Sequence, residues 1–160
     1  MQTIVADSSS LIYLSKVALL PLFSRIVHLV ISPHVYKECT RLSLSDDARQ
    51  IKNLVRSKDI VICPVPKAYQ LPISNLGIGE KSSIELWYFL DAASVIIDDK
   101  KGIQVCKMRK VPFFCAILVP GMLQRNHMLS GPEEVDIYID KICRIARYSQ
   151  WIIDYAREHG

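Results

Sequence analysis

Short runs of β-branched residues alternate with longer segments of helical periodicity through most of the chain. The runs predict strands at residues 3–6, 29–31, 60–63, 94–97 and 112–114. The intervening segments predict helices at residues 8–17, 19–26, 33–42, 45–57, 79–90 and 100–109. Strands that are separated by helices usually pair in parallel, because each helix carries the chain back to the starting edge. We therefore expect an α/β fold with a short, mostly parallel sheet and helices on both faces.

The chain is long enough to fold without covalent or metal cross-links. Its 160 residues, of which 50% are hydrophobic, suit one ordinary domain that buries about two thirds of its unfolded surface. The cysteines are odd in number and form no Cys-x-x-Cys pair, which argues against a disulfide framework or a thiolate zinc site. They are Cys39, Cys63, Cys106, Cys115 and Cys143.

A C-terminal segment, residues 131–160, follows the domain that we place at residues 1–130. It opens with Gly131-Pro132-Glu133-Glu134, and an early proline with acids in the first turn is typical of a helix start. Apolar residues then recur at helical spacing as far as Ala156. We expect a helical extension that packs on the same domain or on a partner, and we expect a homodimer. A membrane is disfavoured because the polar face mixes charges of both signs.

The start of the chain and its most apolar later stretch bear on location. Residues 1–7 contain no basic region and reach an acid at Asp7, so they do not resemble a secretory signal. Residues 111–123 are interrupted by Pro112 and Pro120 and are shorter than the about 20 residues that cross a bilayer. We expect a soluble, cytoplasmic protein.

Several common catalytic motifs are absent from the sequence. It contains no Gly-x-Gly-x-x-Gly, no Walker loop, no Gly-x-Ser-x-Gly and no His-Glu-x-x-His. His34 and Glu38 are four residues apart, but His28 and His127 are isolated, so a histidine zinc site is disfavoured. Because the first three of these motifs are missing, nucleotide-binding enzymes and serine hydrolases are disfavoured as well.

Acidic residues stand instead at the ends of the predicted elements. Asp7 follows the first strand, and Asp98 and Asp99 follow the fourth. Glu80 opens a helix, and Glu38 lies one turn into the helix after the second strand. Each acid alone has an ordinary explanation as a helix cap or as a partner of a helix dipole. In open α/β sheets, however, ligands bind at the carboxyl ends of the strands, where these acids would converge.

Converging carboxylates imply a divalent cation. Two of them about 6 Å apart repel by roughly 3 kcal/mol at an effective dielectric constant of about 20. Oxygen ligands without histidine or thiolate favour Mg²⁺ or Mn²⁺, and the matching chemistry is phosphodiester hydrolysis. The net charge of +4 and the basic run around Lys100 and Lys101 suit a phosphate-rich substrate, although a solvated helix face explains such a run equally well.

Four segments in order resemble PIN-domain nucleases, and within them the stand-alone and toxin-like (VapC-type) prokaryotic branch. The segments are Ile4-Val5-Ala6-Asp7-Ser8-Ser9-Ser10-Leu11-Ile12, Val30-Ile31-Ser32-Pro33-His34-Val35-Tyr36-Lys37-Glu38, Gly77-Ile78-Gly79-Glu80-Lys81-Ser82-Ser83-Ile84-Glu85-Leu86 and Val95-Ile96-Ile97-Asp98-Asp99-Lys100-Lys101. The resemblance covers residues 2–130. It implies a three-layer α/β/α sandwich and a metal-dependent endoribonuclease, with the toxin of a toxin-antitoxin pair as one form of that activity.

The resemblance also implies a role for each acid. Asp7, Glu80, Asp98 and Asp99 match direct ligands of Mg²⁺ or Mn²⁺, whereas Glu38 matches a catalytic acid that acts through water. Ser8 and Ser9 would position a metal-bound water or a phosphate. We place Lys100 and Lys101 beside the substrate, and we expect RNA, and an antitoxin protein where one exists, as partners.

Two other readings of the residues stay open. The segment from Phe113 to Leu118 lacks the Gly-Thr type of turn usual in this branch, which fits a module that binds RNA or a protein without cutting. A different magnesium phosphatase on a similar fold is the third reading. It is disfavoured because Ser9 stands where an Asp-x-Asp motif would place its second acid.

Overall fold

The computed structural model describes residues 1–41 and 44–159, in which five parallel strands form one sheet. The strands are β1 (Thr3–Ala6), β2 (His28–Ile31), β3 (Ile60–Ile62), β4 (Ser94–Ile96) and β5 (Phe113–Phe114). Their order is β3-β2-β1-β4-β5, with Ile4 of β1 paired with Leu29 of β2 and Ser94 of β4. The predicted strands agree with these bounds to within one residue, which confirms the α/β prediction.

The helices fill the connections between the strands and follow the last one. They are α1 (Ser8–Lys16), α2 (Leu20–Ile26), α3 (Pro33–Thr40), α4 (Asp46–Arg56), α5 (Ile78–Leu90), α6 (Lys100–Arg109), α7 (Val119–Arg125), α8 (Pro132–Ile145) and α9 (Gln150–Glu158). The predicted end of α3 at Leu42 lies outside the described residues. In the described ranges no single helix is long and apolar enough to span a membrane, and α1 and α2 pass that test only as a pair bent by 117°.

Serine caps explain where two of these helices begin. Ser32 Oγ accepts a hydrogen bond from the Val35 amide at 3.1 Å, and Ser45 Oγ accepts one from the Ala48 amide at 3.3 Å. Each bond satisfies one of the free amides in a first helical turn. The cap at Ser45 confirms the assignment made from the sequence.

Helix α7 and the break between α8 and α9 were not predicted. The prolines at 112 and 120 were read as interruptions of an apolar stretch, but Pro120 lies in the first turn of α7, where a proline is tolerated. The C-terminal segment was predicted as one stripe of apolar residues. The structure ends α8 at Ile145, where Ala146 adopts an extended conformation, and begins α9 at Gln150.

The sheet separates two apolar cores. Ile4 and Ala6 of β1 face one core, whereas Val5 faces the other, as the two-residue period of a strand requires. The first core is filled mainly by α1, α2, α7 and α8, including Ile139 and Ile142 of the C-terminal segment. The second core is filled by α5 and α6. The result is the three-layer α/β/α sandwich that the resemblance implied.

The strand order places a crevice beside β1. From β1 the chain moves outward through β2 to β3, and it then returns to the opposite side of β1 to form β4 and β5. The carboxyl ends of β1 and β4 are therefore adjacent at the point where the order reverses. Open α/β sheets bind their ligands at such a point.

Candidate functional site

Asp7 lies at this switch point with no hydrogen-bond partner for its carboxylate. It occupies the N-cap position of α1, yet its side chain caps nothing, and both of its oxygens are buried without a partner among the described residues. The pKa of Asp7 is raised from 3.8 to about 8, first by burial and then by the charges of Glu80, Glu38 and Asp99, in that order of importance. The nearby amide of Ser8 opposes this shift without forming a hydrogen bond. A buried, unpaired carboxylate costs several kcal/mol unless a proton or a cation compensates it.

Two glycines make room for the carboxylates of Glu80 and Glu38. A Cβ at Gly77 would overlap Glu80 Oε2, and a Cβ at Gly79 would overlap Glu38 Oε1. Glu38 reaches this position from α3, where its Oε2 accepts a hydrogen bond from Ser8 Oγ at 2.8 Å. The Gly-x-Gly-Glu segment at the start of α5 is therefore a steric device that brings two acids from different helices together.

Asp99 is both a helix cap and a member of this acidic group. Its Oδ2 accepts a hydrogen bond from the Gly102 amide at 2.9 Å at the start of α6. Its charge also contributes to the raised pKa values of Asp7 and Glu80. Asp99 is therefore a helix cap, which was the ordinary explanation of this acid, and it still lies beside the other acids.

Asp98 is held differently from its neighbour. It accepts hydrogen bonds from Ser10 Oγ at 2.5 Å, from the Ala116 amide at 3.1 Å and from the Tyr148 hydroxyl. Burial raises the pKa of Asp98, and the same three hydrogen bonds act against that rise. Both of its oxygens already accept hydrogen bonds from the protein, so this carboxylate ties α1, the end of β5 and the α8–α9 connection together.

The four remaining acids form one electrostatic group, which we call the acidic cluster: Asp7, Glu38, Glu80 and Asp99. Burial raises the pKa of Glu80, as do the charges of Asp99 and Glu38, while its own backbone amide lowers it. Across residues 1–41 and 44–159, no three His, Cys, Asp or Glu side chains stand in a metal-binding arrangement. Two members of the cluster are engaged locally, since Glu38 accepts a hydrogen bond from Ser8 and Asp99 accepts one from the Gly102 amide.

A cleft of about 550 Å³ opens onto the acidic cluster. Glu80, Asp98 and Asp99 line it, together with both lysines that were predicted to contact the substrate. Ser9 also lines the cleft, whereas Ser8 is committed to Glu38. The complete lining is Ser9, Tyr13, Asn75, Gly77, Glu80, Asp98, Asp99, Lys100 and Lys101. Cations thus border the mouth of an acidic site, which suits a phosphate group that meets a metal ion.

Sequence reasoning overlooked some residues that shape this site. Ser10 and Tyr148 hold Asp98, and Tyr13 and Asn75 line the cleft. The run Ser8-Ser9-Ser10 was an available signal for Ser10. Successive residues at a helix start point in different directions, so three serines there can contact three different neighbours. Tyr148 gave no local signal, since it lies 50 residues from Asp98 in the chain.

The donor set fits a hard divalent cation. The acidic cluster offers carboxylate oxygens only, which is the ligand chemistry of Mg²⁺ or Mn²⁺. The two partnerless oxygens of Asp7 are the sharpest observation, because a cation would satisfy buried atoms that the fold leaves free. The fit rests on these oxygens and on the glycines that make room for the neighbouring acids.

Comparison with known proteins finds one family. A family model described as PIN domain matches residues 3–150, a range that contains all five strands and helices α1 to α8. A search of curated proteins finds no significant match to the chain.

Proposed function

The chain belongs to the PIN-domain family, a nuclease fold that is typically metal-dependent, and on that premise we propose that it is an endoribonuclease dependent on Mg²⁺ or Mn²⁺. The observation that carries this proposal is the buried carboxylate of Asp7, which has no hydrogen-bond partner in the described part of the chain and lies at the switch point among three other acids. A toxin role, with an antitoxin as partner, stays a prediction.

The acidic cluster is the proposed metal site. Asp7, Glu80 and Asp99 would hold the ion, and Glu38, which is exposed and bonded to Ser8, would act through water. When bound, the ion supplies a nucleophilic hydroxide at neutral pH and stabilises the charge that develops on the phosphate. We propose a positioning role for Asp98 in place of the ligand role predicted from the sequence, because its oxygens already accept hydrogen bonds from Ser10, Ala116 and Tyr148.

The chain itself contributes placement and charge balance. Lys100 and Lys101 are exposed at the cleft, where they would neutralise RNA phosphates that the carboxylates otherwise repel. Ser9 presents a hydroxyl to the same cleft and would donate to a phosphate oxygen. Asp7, Glu80 and Asp99 lie at helix starts or strand ends, which are rigid positions for a site that must align a bond for hydrolysis.

The test is cleavage of single-stranded RNA by Asp7→Asn, with Asp91→Asn as the matched control. Asp91 is exposed in a left-handed position with φ 48°, which asparagine tolerates well. We expect Asp7→Asn to lose activity by about 1,000-fold or more and Asp91→Asn to keep it. Cleavage that continues in excess chelator, or an Asp7→Asn protein as active as the parent, would contradict the proposal.

The second candidate is a module that binds RNA or a protein without cutting. It is favoured by the absence, over the described residues, of three side chains already arranged around a metal. The same preparation separates the two candidates. A divalent cation that raises the melting temperature of the parent, but not that of Asp7→Asn, supports the enzyme, whereas RNA binding with no cation effect supports the module.

A further inference from the structure

A groove of about 780 Å³ runs from the proposed catalytic cleft along helix α6. One wall is the loop segment of residues 72–76, and the other is one face of α6. The groove and the cleft share Asn75 and Lys101 in their linings, so the two cavities are adjacent. The groove is lined by Pro72, Ile73, Ser74, Asn75, Leu76, Lys101, Gln104, Val105, Met108 and Arg109.

The groove combines cations with exposed apolar atoms. Lys101 and Arg109 are eight residues apart on the helix, which places them about 12 Å apart along its axis. Between them Val105 and Met108 face the groove, and Met108 is 82% exposed. No acidic side chain is part of the lining that the structure describes.

The loop wall is held in place by a buried carboxylate of α5. Glu85 of α5 is buried, and its Oε2 accepts a hydrogen bond from the Leu71 amide at 2.5 Å. Lys81 Nζ lies 3.7 Å from the same oxygen. Because this carboxylate fixes the chain directly before residue 72, the groove exists without a ligand rather than forming around one.

We propose that this groove, which we call the α6 groove, holds a single-stranded segment of RNA adjacent to the phosphate that is cleaved. Phosphates would contact Lys101 and Arg109, and bases would lie against Val105 and Met108. A duplex presents mainly phosphates and ribose hydroxyls, so it gives the apolar lining nothing to contact, whereas a single strand exposes its bases. The inference rests on the proposed nuclease function, because the groove borders the cleft assigned to that function.

Charge argues for RNA over a protein partner. The groove lining carries the cations Lys101 and Arg109 and no acid, and Lys100 stands with Lys101 at the adjacent cleft, so the surface suits a polyanion. A polynucleotide that enters the cleft must continue in some direction. The cationic, acid-free path along α6 is the one that shares residues with the cleft.

The test measures binding of a labelled single-stranded RNA of about 12 nucleotides to the Asp7→Asn protein in Mg²⁺, so that the RNA is not cut. Arg109→Ala in this background is compared with Lys107→Ala. Lys107 is an exposed cation on the same helix, but it does not line the groove. We expect Arg109→Ala to weaken binding about tenfold and to reduce the salt dependence by about 0.7 in slope. Lys107→Ala should change binding less than about twofold.

A second variant tests the bases. Met108→Ala leaves every charge in place, and we expect it to weaken single-strand binding about fivefold without affecting a duplex of the same sequence. Equal losses for Arg109→Ala and Lys107→Ala, or unchanged binding in both groove variants, would overturn the inference. If the groove binds RNA but the parent protein never cuts it, the nuclease proposal alone is overturned. If the parent cuts RNA and neither groove variant changes the rate, the proposal for the α6 groove alone is overturned.

Discussion

The carboxyl ends of β1 and β4 lie side by side, yet their aspartates have opposite surroundings. Asp7 after β1 is fully buried, and neither of its oxygens has a hydrogen-bond partner among the described residues. Asp98 after β4 accepts from Ser10, Ala116 and Tyr148. A carboxylate whose oxygens accept hydrogen bonds stabilises the fold. A buried carboxylate without partners destabilises it unless a ligand satisfies its oxygens. Proximity to the proposed site is therefore a poor guide to which acid would be free to bind a metal.

The pKa values of the two residues express the same contrast. Burial is the first cause that raises the pKa of both. At Asp7 neighbouring acids add to the rise, and at Asp98 hydrogen bonds oppose it. A positive charge near Asp7 would therefore stabilise its ionised form, whereas the ionised form of Asp98 is already stabilised by hydrogen-bond donors.

Substituting asparagine at each position should have opposite effects on stability, and this is the largest difference that we expect. Asp98→Asn replaces one carboxylate oxygen, which accepts hydrogen bonds, by an NH₂ group that would face the same donors. The free energy of unfolding should therefore fall by about 3 kcal/mol. Asp7→Asn removes a buried charge, so the metal-free protein at pH 8 should gain at least about 1.4 kcal/mol, the equivalent of one pKa unit. Urea denaturation of both variants in chelator measures this, and a loss of stability in both would contradict the contrast.

The gain at Asp7 has a defined pH dependence. The folded pKa of about 8 lies above the ordinary value of 3.8, so the folded state binds more protons than the unfolded state between these limits. Stability of the metal-free parent should therefore be fullest below about pH 4 and should decline as the pH rises to about 8. In Asp7→Asn this contribution disappears, and the two stability curves should converge in acid. Curves that stay parallel from pH 4 to pH 8 would show that Asp7 does not titrate in this way.

The next effect concerns the glycines that let acids gather around Asp7. Gly79→Ala places a methyl group where the Glu38 carboxylate lies, so we expect activity to fall by on the order of 100-fold, because small displacements of catalytic groups are costly. Gly131→Ala is the control, since its added methyl group meets nothing within 4 Å and its φ of 171° suits any residue. Rates measured at saturating metal compare the two, and equal rates would show that the position of Glu38 is unimportant.

The smallest effect tests the tie between Asp98 and the C-terminal segment. Tyr148→Phe removes one donor to a charged acceptor, so the free energy of unfolding should fall by about 1.5 kcal/mol. Tyr155→Phe is the control, because Tyr155 is exposed and stacks on His159 through its ring. Thermal unfolding of the two variants checks this. If both lose the same stability, the hydroxyl of Tyr148 contributes nothing through Asp98.

Local patterns in the sequence were sufficient for most of the fold. Each predicted strand lies within one residue of an observed one, because a run such as residues 3–6 carries its own two-residue period. Helix α7 was missed because Pro112 and Pro120 look like breakers when their position in a helix is unknown. The break after Ile145 was missed because the apolar spacing on its two sides continues in phase.

The sequence by itself also determined where most of the acids stand, with Asp7, Glu80, Asp98 and Asp99 at strand ends or helix starts, because those positions follow from the same local patterns. Only the tertiary structure decided what each acid contacts. Tyr148 reaches Asp98 across 50 residues, Glu38 meets Gly79 from another helix, and the Asp7 oxygens lack a hydrogen-bond partner within the described ranges. Such partners are chosen by the packing of distant elements, and no periodicity of 2 or 3.6 residues encodes them.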